Sequence, residues 1–127
     1  MWRVAIYARE TPGRAGRASL DRQVAGLATQ VVRQSGWLHV ATYADQSLGQ
    51  DRPGLARLLV EAPGRIDVVV VDGYGRLSAH RHEIGGLLAH LEAIGVQVGV
   101  LRPSGGRRLA RLVANLALAD VIGAAAG

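Results

Sequence analysis

Residues 66–72 read Ile-Asp-Val-Val-Val-Val-Asp, with four valines in succession. Alternate residues of a strand face opposite sides, so an unbroken apolar run needs cover on both faces. A parallel sheet flanked by helices supplies it. The rest of the chain agrees with that architecture. Residues 3 to 8, Leu38 to Tyr43 and Val96 to Leu101 read as further strands. Between the strands lie stretches of helical spacing. Leu20, Val24, Leu27 and Val31 run behind a capping Ser19 and ahead of Gly36, which is placed to end that helix. Leu55, Leu58 and Leu59 follow Pro53, a residue suited to a first helical turn. Ile84, Leu87, Leu88 and Leu91 share one face of a helix from His80 to Ile94. Gly85 and Gly86 inside it cost about 1 kcal/mol each relative to alanine, a cost that suits close approach by a neighbouring element. The alternation continues without an internal repeat or an interdomain linker. One α/β domain over residues 1–127 is predicted, with three layers and a mainly parallel sheet between helices.

After the breaker Pro103-Ser104-Gly105-Gly106, a terminal helix within 107–127 carries Leu109, Leu112, Val113 and Leu116 on one stripe and Leu118, Val121 and Ile122 on a second. A helix apolar on two sides packs against more than one neighbour. Self-association through this helix, most simply as a symmetric homodimer or else as a higher oligomer, is the expectation.

The chain has no cysteine, which excludes a disulfide framework and thiolate metal sites. No apolar stretch approaches the length of a membrane span or a secretory signal, so a cytoplasmic protein without membrane attachment is expected. All fifteen basic residues are arginine, and the formal charge is +5. That charge suits a nucleic-acid partner, although the absence of Lys and Phe beside abundant Ala, Gly and Arg also points to codon bias from a GC-rich genome.

Three arginines are placed with more purpose. Arg9 closes the first strand, Arg52 precedes the helix opened by Pro53, and Arg76 lies four residues past the valine strand. Doubly wound α/β folds gather their strand exits along one sheet edge and bind anionic ligands there. Three forked guanidiniums on that edge would make a phosphate site. The remaining basic residues carry less. Arg14 and Arg17 fall in a Gly- and Arg-rich loop, and Arg107, Arg108 and Arg111 open the last helix, where cations oppose the helix dipole; all five suit a solvated surface. His80, His82 and His90 do not share the face a metal would need, and no metal or cofactor is expected. Gly73-Tyr74-Gly75 does not follow the first strand and so lacks the context of a dinucleotide loop.

In order, Tyr7-Ala8-Arg9-Glu10-Thr11, Ser19-Leu20-Asp21-Arg22-Gln23, Asp45 ahead of Asp51-Arg52-Pro53-Gly54-Leu55, residues 66–78 and residues 95–101 resemble the catalytic domain of serine recombinases, the resolvase and invertase family. The resemblance covers nearly the whole chain. It implies a resolvase-like fold and DNA as partner. The implied reaction is site-specific recombination, in which a side-chain hydroxyl attacks a phosphodiester and holds the strand end covalently until a second hydroxyl rejoins it. Clustered arginines, rather than a metal, stabilise the phosphoryl charge. Carried over, the resemblance makes Arg9, Arg52 and Arg76 the active-site arginines, Asp45 the acid that orients them, Gln23 the glutamine of the first helix and Tyr7 the strand tyrosine beside them.

The departures from the family pattern are specific. The nucleophile position of the pattern Tyr-x-Arg-x-Ser holds Thr11, whose β-methyl restricts χ1 and crowds an in-line attack. Where the pattern reads Asp-Arg-Leu-x-Arg, this chain has Gly75, Arg76, Leu77, Ser78 and Ala79, so one acid and one arginine are missing. Glu10 adds a carboxylate beside the site. The family's DNA-binding module is absent from these residues. Losing one charge-stabilising donor costs roughly 10²- to 10³-fold, so a domain with impaired cleavage is expected. The alternative is a non-catalytic dimerisation or regulatory module on the same fold. A small phosphate-binding protein or hydrolase unrelated to DNA is disfavoured, since no nucleophile has a base beside it.

Overall fold

The computed structural model describes residues 1–10, 16–46, 52–73, 76 and 81–101. Among the described residues seven elements alternate in chain order: β1 (Trp2–Arg9), α1 (Gly16–Arg33), β2 (Trp37–Asp45), α2 (Pro53–Glu61), β3 (Val68–Val71), α3 (Arg81–Ala93) and β4 (Gln97–Val100). The four strands form one sheet in the order β2-β1-β3-β4. Every pairing within it is parallel. Thr11, Gly75, Ala79 and the whole of 107–127 lie outside the described residues.

The valine run divides between two cores, as its alternation requires. Val69 and Val71 join Ala5, Tyr7, Leu55, Leu58, Leu91 and Val98 on the face covered by α2 and α3. Val68 and Val70 join Val4, Ile6, Leu27 and Val31 on the face covered by α1. The placement of the helices follows from topology. The chain steps one way along the sheet from β1 to β2, then reverses to reach β3 and β4. Crossovers between parallel strands are right-handed, so reversing direction moves the connecting helix to the opposite face. The result is three layers, with the switch in direction between the exits of β1 and β3.

Helix ends show where local sequence decided. α3 stops in a Schellman arrangement: the N–H of Val96 donates to the carbonyl of Leu91 at 2.8 Å and that of Gly95 to Glu92 at 2.9 Å. Gly95 takes φ +84° to do so, a conformation that costs glycine little and other residues more. α1 starts at Gly16, so Ser19 lies inside its first turn and is not its cap. Arg17 and Ala18 are strong helix formers and carry the helix back past the serine. An added Cβ at Gly85 or Gly86 meets nothing within 4 Å among the described residues, so the close approach expected there is not found. β2 runs beyond the expected Leu38 to Tyr43 and ends at Asp45.

Candidate phosphate site at the sheet switch point

Tyr7, Arg9, Gln23, Asp45, Arg52 and Arg76 meet at the carboxyl ends of β1, β2 and β3. Strand register begins the assembly. Tyr7 pairs with Tyr43 and Arg9 with Asp45 across the β1–β2 ladder, and the N–H of Glu10 extends it by donating to the carbonyl of Asp45 at 3.0 Å. Tyr7 is fully buried and Asp45 nearly so.

Asp45 is the structural hub. Its Oδ1 accepts the N–H of Gly54 at 2.7 Å and its Oδ2 that of Leu55 at 3.0 Å. These are orphan donors of the first turn of α2, whose own flanking residue, Arg52, offers no side-chain cap. A carboxylate from the neighbouring strand therefore caps the helix, favoured further by the helix dipole. Oδ2 also accepts the Tyr7 hydroxyl at 2.6 Å. The contact is close because residue 54 is glycine: a Cβ there would lie 2.6 Å from the carbonyl oxygen of Ala44.

The Tyr7 hydroxyl receives Nε and Nη2 of Arg52 at 3.2 and 2.9 Å, and the guanidinium lies over the Tyr7 ring, 5.4 Å from its centroid. Burial pushes the Tyr7 phenol well above its ordinary range. The bond to Asp45 raises it further and Arg52 opposes the shift. Tyr7 is thus a neutral relay between a capping carboxylate and a guanidinium.

Backbone oxygens tie the arginines together. Arg52 Nη2 donates to the Arg76 carbonyl at 2.8 Å, and Arg76 Nη1 donates to the Arg9 carbonyl at 3.1 Å. Gln23 clips the same residue of β1 from the other face: its Nε2 donates to the Arg9 carbonyl at 2.9 Å and its Oε1 accepts the Arg9 N–H at 3.1 Å. The half-buried Arg9 side chain forms no hydrogen bond or ion pair with the described residues. Thr11, the position of the expected nucleophile, is outside them.

Two contributors escaped the sequence reading. Gly54 is one. The other is Asp72, whose Oδ1 and Oδ2 accept Arg76 Nε at 2.6 Å and Nη2 at 3.2 Å. The four-residue spacing of Asp72 and Arg76 was a signal for pairing, but it spans a strand exit, where that spacing sets no face in advance. Among the described residues no three His, Cys, Asp or Glu side chains group so as to hold a metal ion. No described helix is long and apolar enough to cross a membrane.

Comparison with known proteins identifies the family. No curated protein sequence matches the chain. Among solved structures, the C-terminal catalytic domain of ISC1926 TnpA, an IS607-like serine recombinase, superposes with a TM-score of 0.67 at 27% identity, over 77% of this chain and 66% of that one. The chain thus spans just under two thirds of that structure. The N-terminal catalytic domain of TP901-1 integrase gives 0.68 at 21% identity, over 95% of this chain and 92% of that one. A resolvase family site-specific recombinase from Streptococcus pneumoniae gives 0.64 at 13%, over 97% and 90%. At those lower identities the likeness establishes the fold alone. The family model for the resolvase N-terminal domain matches residues 4–125, nearly the full chain, and this protein belongs to the resolvase family.

Proposed function

We propose that this chain is a serine-recombinase-type DNA strand-transfer domain with impaired cleavage chemistry. The observation that carries the reading is the chain of bonds from Arg52 to the Arg76 carbonyl and from Arg76 to the Arg9 carbonyl, which gathers the three residues at the switch point between β1 and β3, where open α/β sheets bind their ligands. In this reading a DNA phosphate sits against the cluster. The Thr11 hydroxyl forms the new O–P bond, the strand's own O–P bond breaks, and the departing deoxyribose oxygen takes a proton. Attack by a second hydroxyl reverses the step. The arginines stabilise charge on the phosphoryl oxygens without a metal.

Tyr7, Asp45 and Gln23 act as positioning residues. Tyr7 and Asp45 fix Arg52 and the start of α2, while Gln23 fixes the backbone of Arg9. Impairment rests on sequence: threonine at position 11, glycine at 75 and alanine at 79. DNA is the partner, gripped through its backbone, and the segment 107–127 mediates self-association.

The test is covalent protein–DNA adduct on a nicked substrate. The unaltered chain is expected to trap none. An adduct abolished by Thr11→Val would identify a working threonine nucleophile and remove the impairment. A second reading, a regulatory module with no phosphate chemistry, draws on the balance of charge at the site: Glu10, Asp45 and Asp72 stand against Arg9, Arg52 and Arg76. It predicts that Arg9→Gln leaves DNA affinity unchanged.

A further inference from the structure

Asp72 is used by neither the family pattern nor the proposed chemistry, yet it holds one of the shortest hydrogen bonds at the site. It stands one residue past β3. Its carboxylate and the Arg76 guanidinium are both largely shielded, at 17% and 23% exposure. The two-point grip on Nε and Nη2 takes one of the forked edges with which an arginine binds a phosphate. Nη1 is turned to the Arg9 carbonyl. At least three N–H groups of Arg76 therefore point at protein acceptors. Gly75, immediately before Arg76, is the position where the family resemblance calls for an acid; this chain carries its carboxylate three residues earlier.

We propose that Asp72 is an internal counter-anion that occupies the phosphate-gripping edge of Arg76, so that this arginine engages DNA phosphate only when the Asp72–Arg76 pair opens. The proposal rests on the reading of the cluster as a phosphate site. Tethering keeps the carboxylate at an effective concentration on the order of millimolar or above. A partly buried pair is screened by salt less than a surface one. An incoming phosphate must displace that carboxylate to use the fork. The rival role for Asp72, a strut that holds Arg76 ready for phosphate, makes the opposite prediction.

The experiment measures anisotropy of a short labelled DNA duplex with the full chain across a salt series, for wild type, Asp72→Asn, Arg76→Gln, the double variant and Arg9→Gln. Circular dichroism confirms folding, and Asp72→Ser carries the same expectation should Asp72→Asn fold poorly. With the pair removed, affinity is expected to rise roughly three- to tenfold. The slope of log K against log salt is expected to steepen by about one, the signature of one new phosphate contact. In the Arg76→Gln background the gain should be smaller and the slope unchanged, because only bulk charge is then altered. Weaker binding by Asp72→Asn would establish the strut and overturn the proposal. Equal gains in both backgrounds with an unchanged slope would overturn it as well. Arg9→Gln separates the counter-anion from the phosphate site. If that variant weakens binding while the Asp72 effects are additive, only the counter-anion fails; if neither Arg9→Gln nor Arg76→Gln alters affinity, the phosphate site itself fails.

Discussion

Single side chains at this site do more than one job, and the resulting constraints are measurable. Gly54 lets the first turn of α2 press against the end of β2. Gly54→Ala would place a Cβ 2.6 Å from the Ala44 carbonyl oxygen, which is backbone and cannot swing aside, and 3.0 Å from the side-chain Oδ1 of Asp45. A loss of about 1–3 kcal/mol in urea denaturation is expected. Gly85→Ala is the control within a helix: its Cβ enters open space among the described residues, and a gain of up to about 1 kcal/mol is expected. The phenols give a second test. Burial, then the bond to Glu61, pushes Tyr43 up to about 12, and burial with Asp45 pushes Tyr7 up as well. Both folded values exceed the unfolded value of about 10. The stabilisation linked to them is therefore complete below about pH 10 and is lost as pH rises through the folded values. Of the three tyrosines, at most one should absorb as phenolate near pH 10 while circular dichroism stays native. Two phenolates in the native state would contradict the buried hydroxyl bonds.

At the scale of elements, the sheet was legible and the join between elements was not. Val68 to Val71 signalled burial on two faces through composition alone, and the structure divides them between two cores as that signal requires. Arg9, Arg52 and Arg76 were expected on one edge; the structure links them through the Arg76 and Arg9 carbonyls, and the convergence of their guanidiniums on one anion belongs to the proposal. Three-dimensional neighbours with no periodic signature were beyond reach. Ser19 looked like a cap because serine favours that position, but propensity in the residues before it prevailed. The cap of α2 lies in another element, at Asp45, nine residues before Gly54. A cross-element cap makes β2 and α2 cooperative. Asp45→Ala leaves two N–H donors and the Tyr7 hydroxyl without their acceptor, and a loss of about 2–4 kcal/mol is expected. Hydrogen exchange should locate the damage, with protection lost first in α2 and at the end of β2. Uniform loss across α1 and β4 would show that Asp45 is not a local hub.

For the whole molecule, the sheet brings the arginines together and the carboxylates around them set how strongly the cluster can act. Binding is expected to run through phosphates, to vary little with sequence and to fall steeply with added salt. Cleavage demands more than binding. If cleavage is impaired as proposed, nucleophile and charge-stabilising groups act as one unit, and restoring a single member is expected to recover little. Thr11→Ser removes a methyl but leaves Gly75 and Ala79 in place; Gly75→Asp and Ala79→Arg restore charges but leave a crowded nucleophile. The triple variant should therefore form covalent adduct on a nicked duplex well beyond the sum of the three single variants, each donor being worth roughly 10²- to 10³-fold. Adduct yield from the triple variant no greater than that sum would mean that residues 11, 75 and 79 do not form one catalytic unit in this chain. The proposed impairment would then rest on other groups of the cluster, and the Asp72 carboxylate on Arg76 would be the first to remove in the same background.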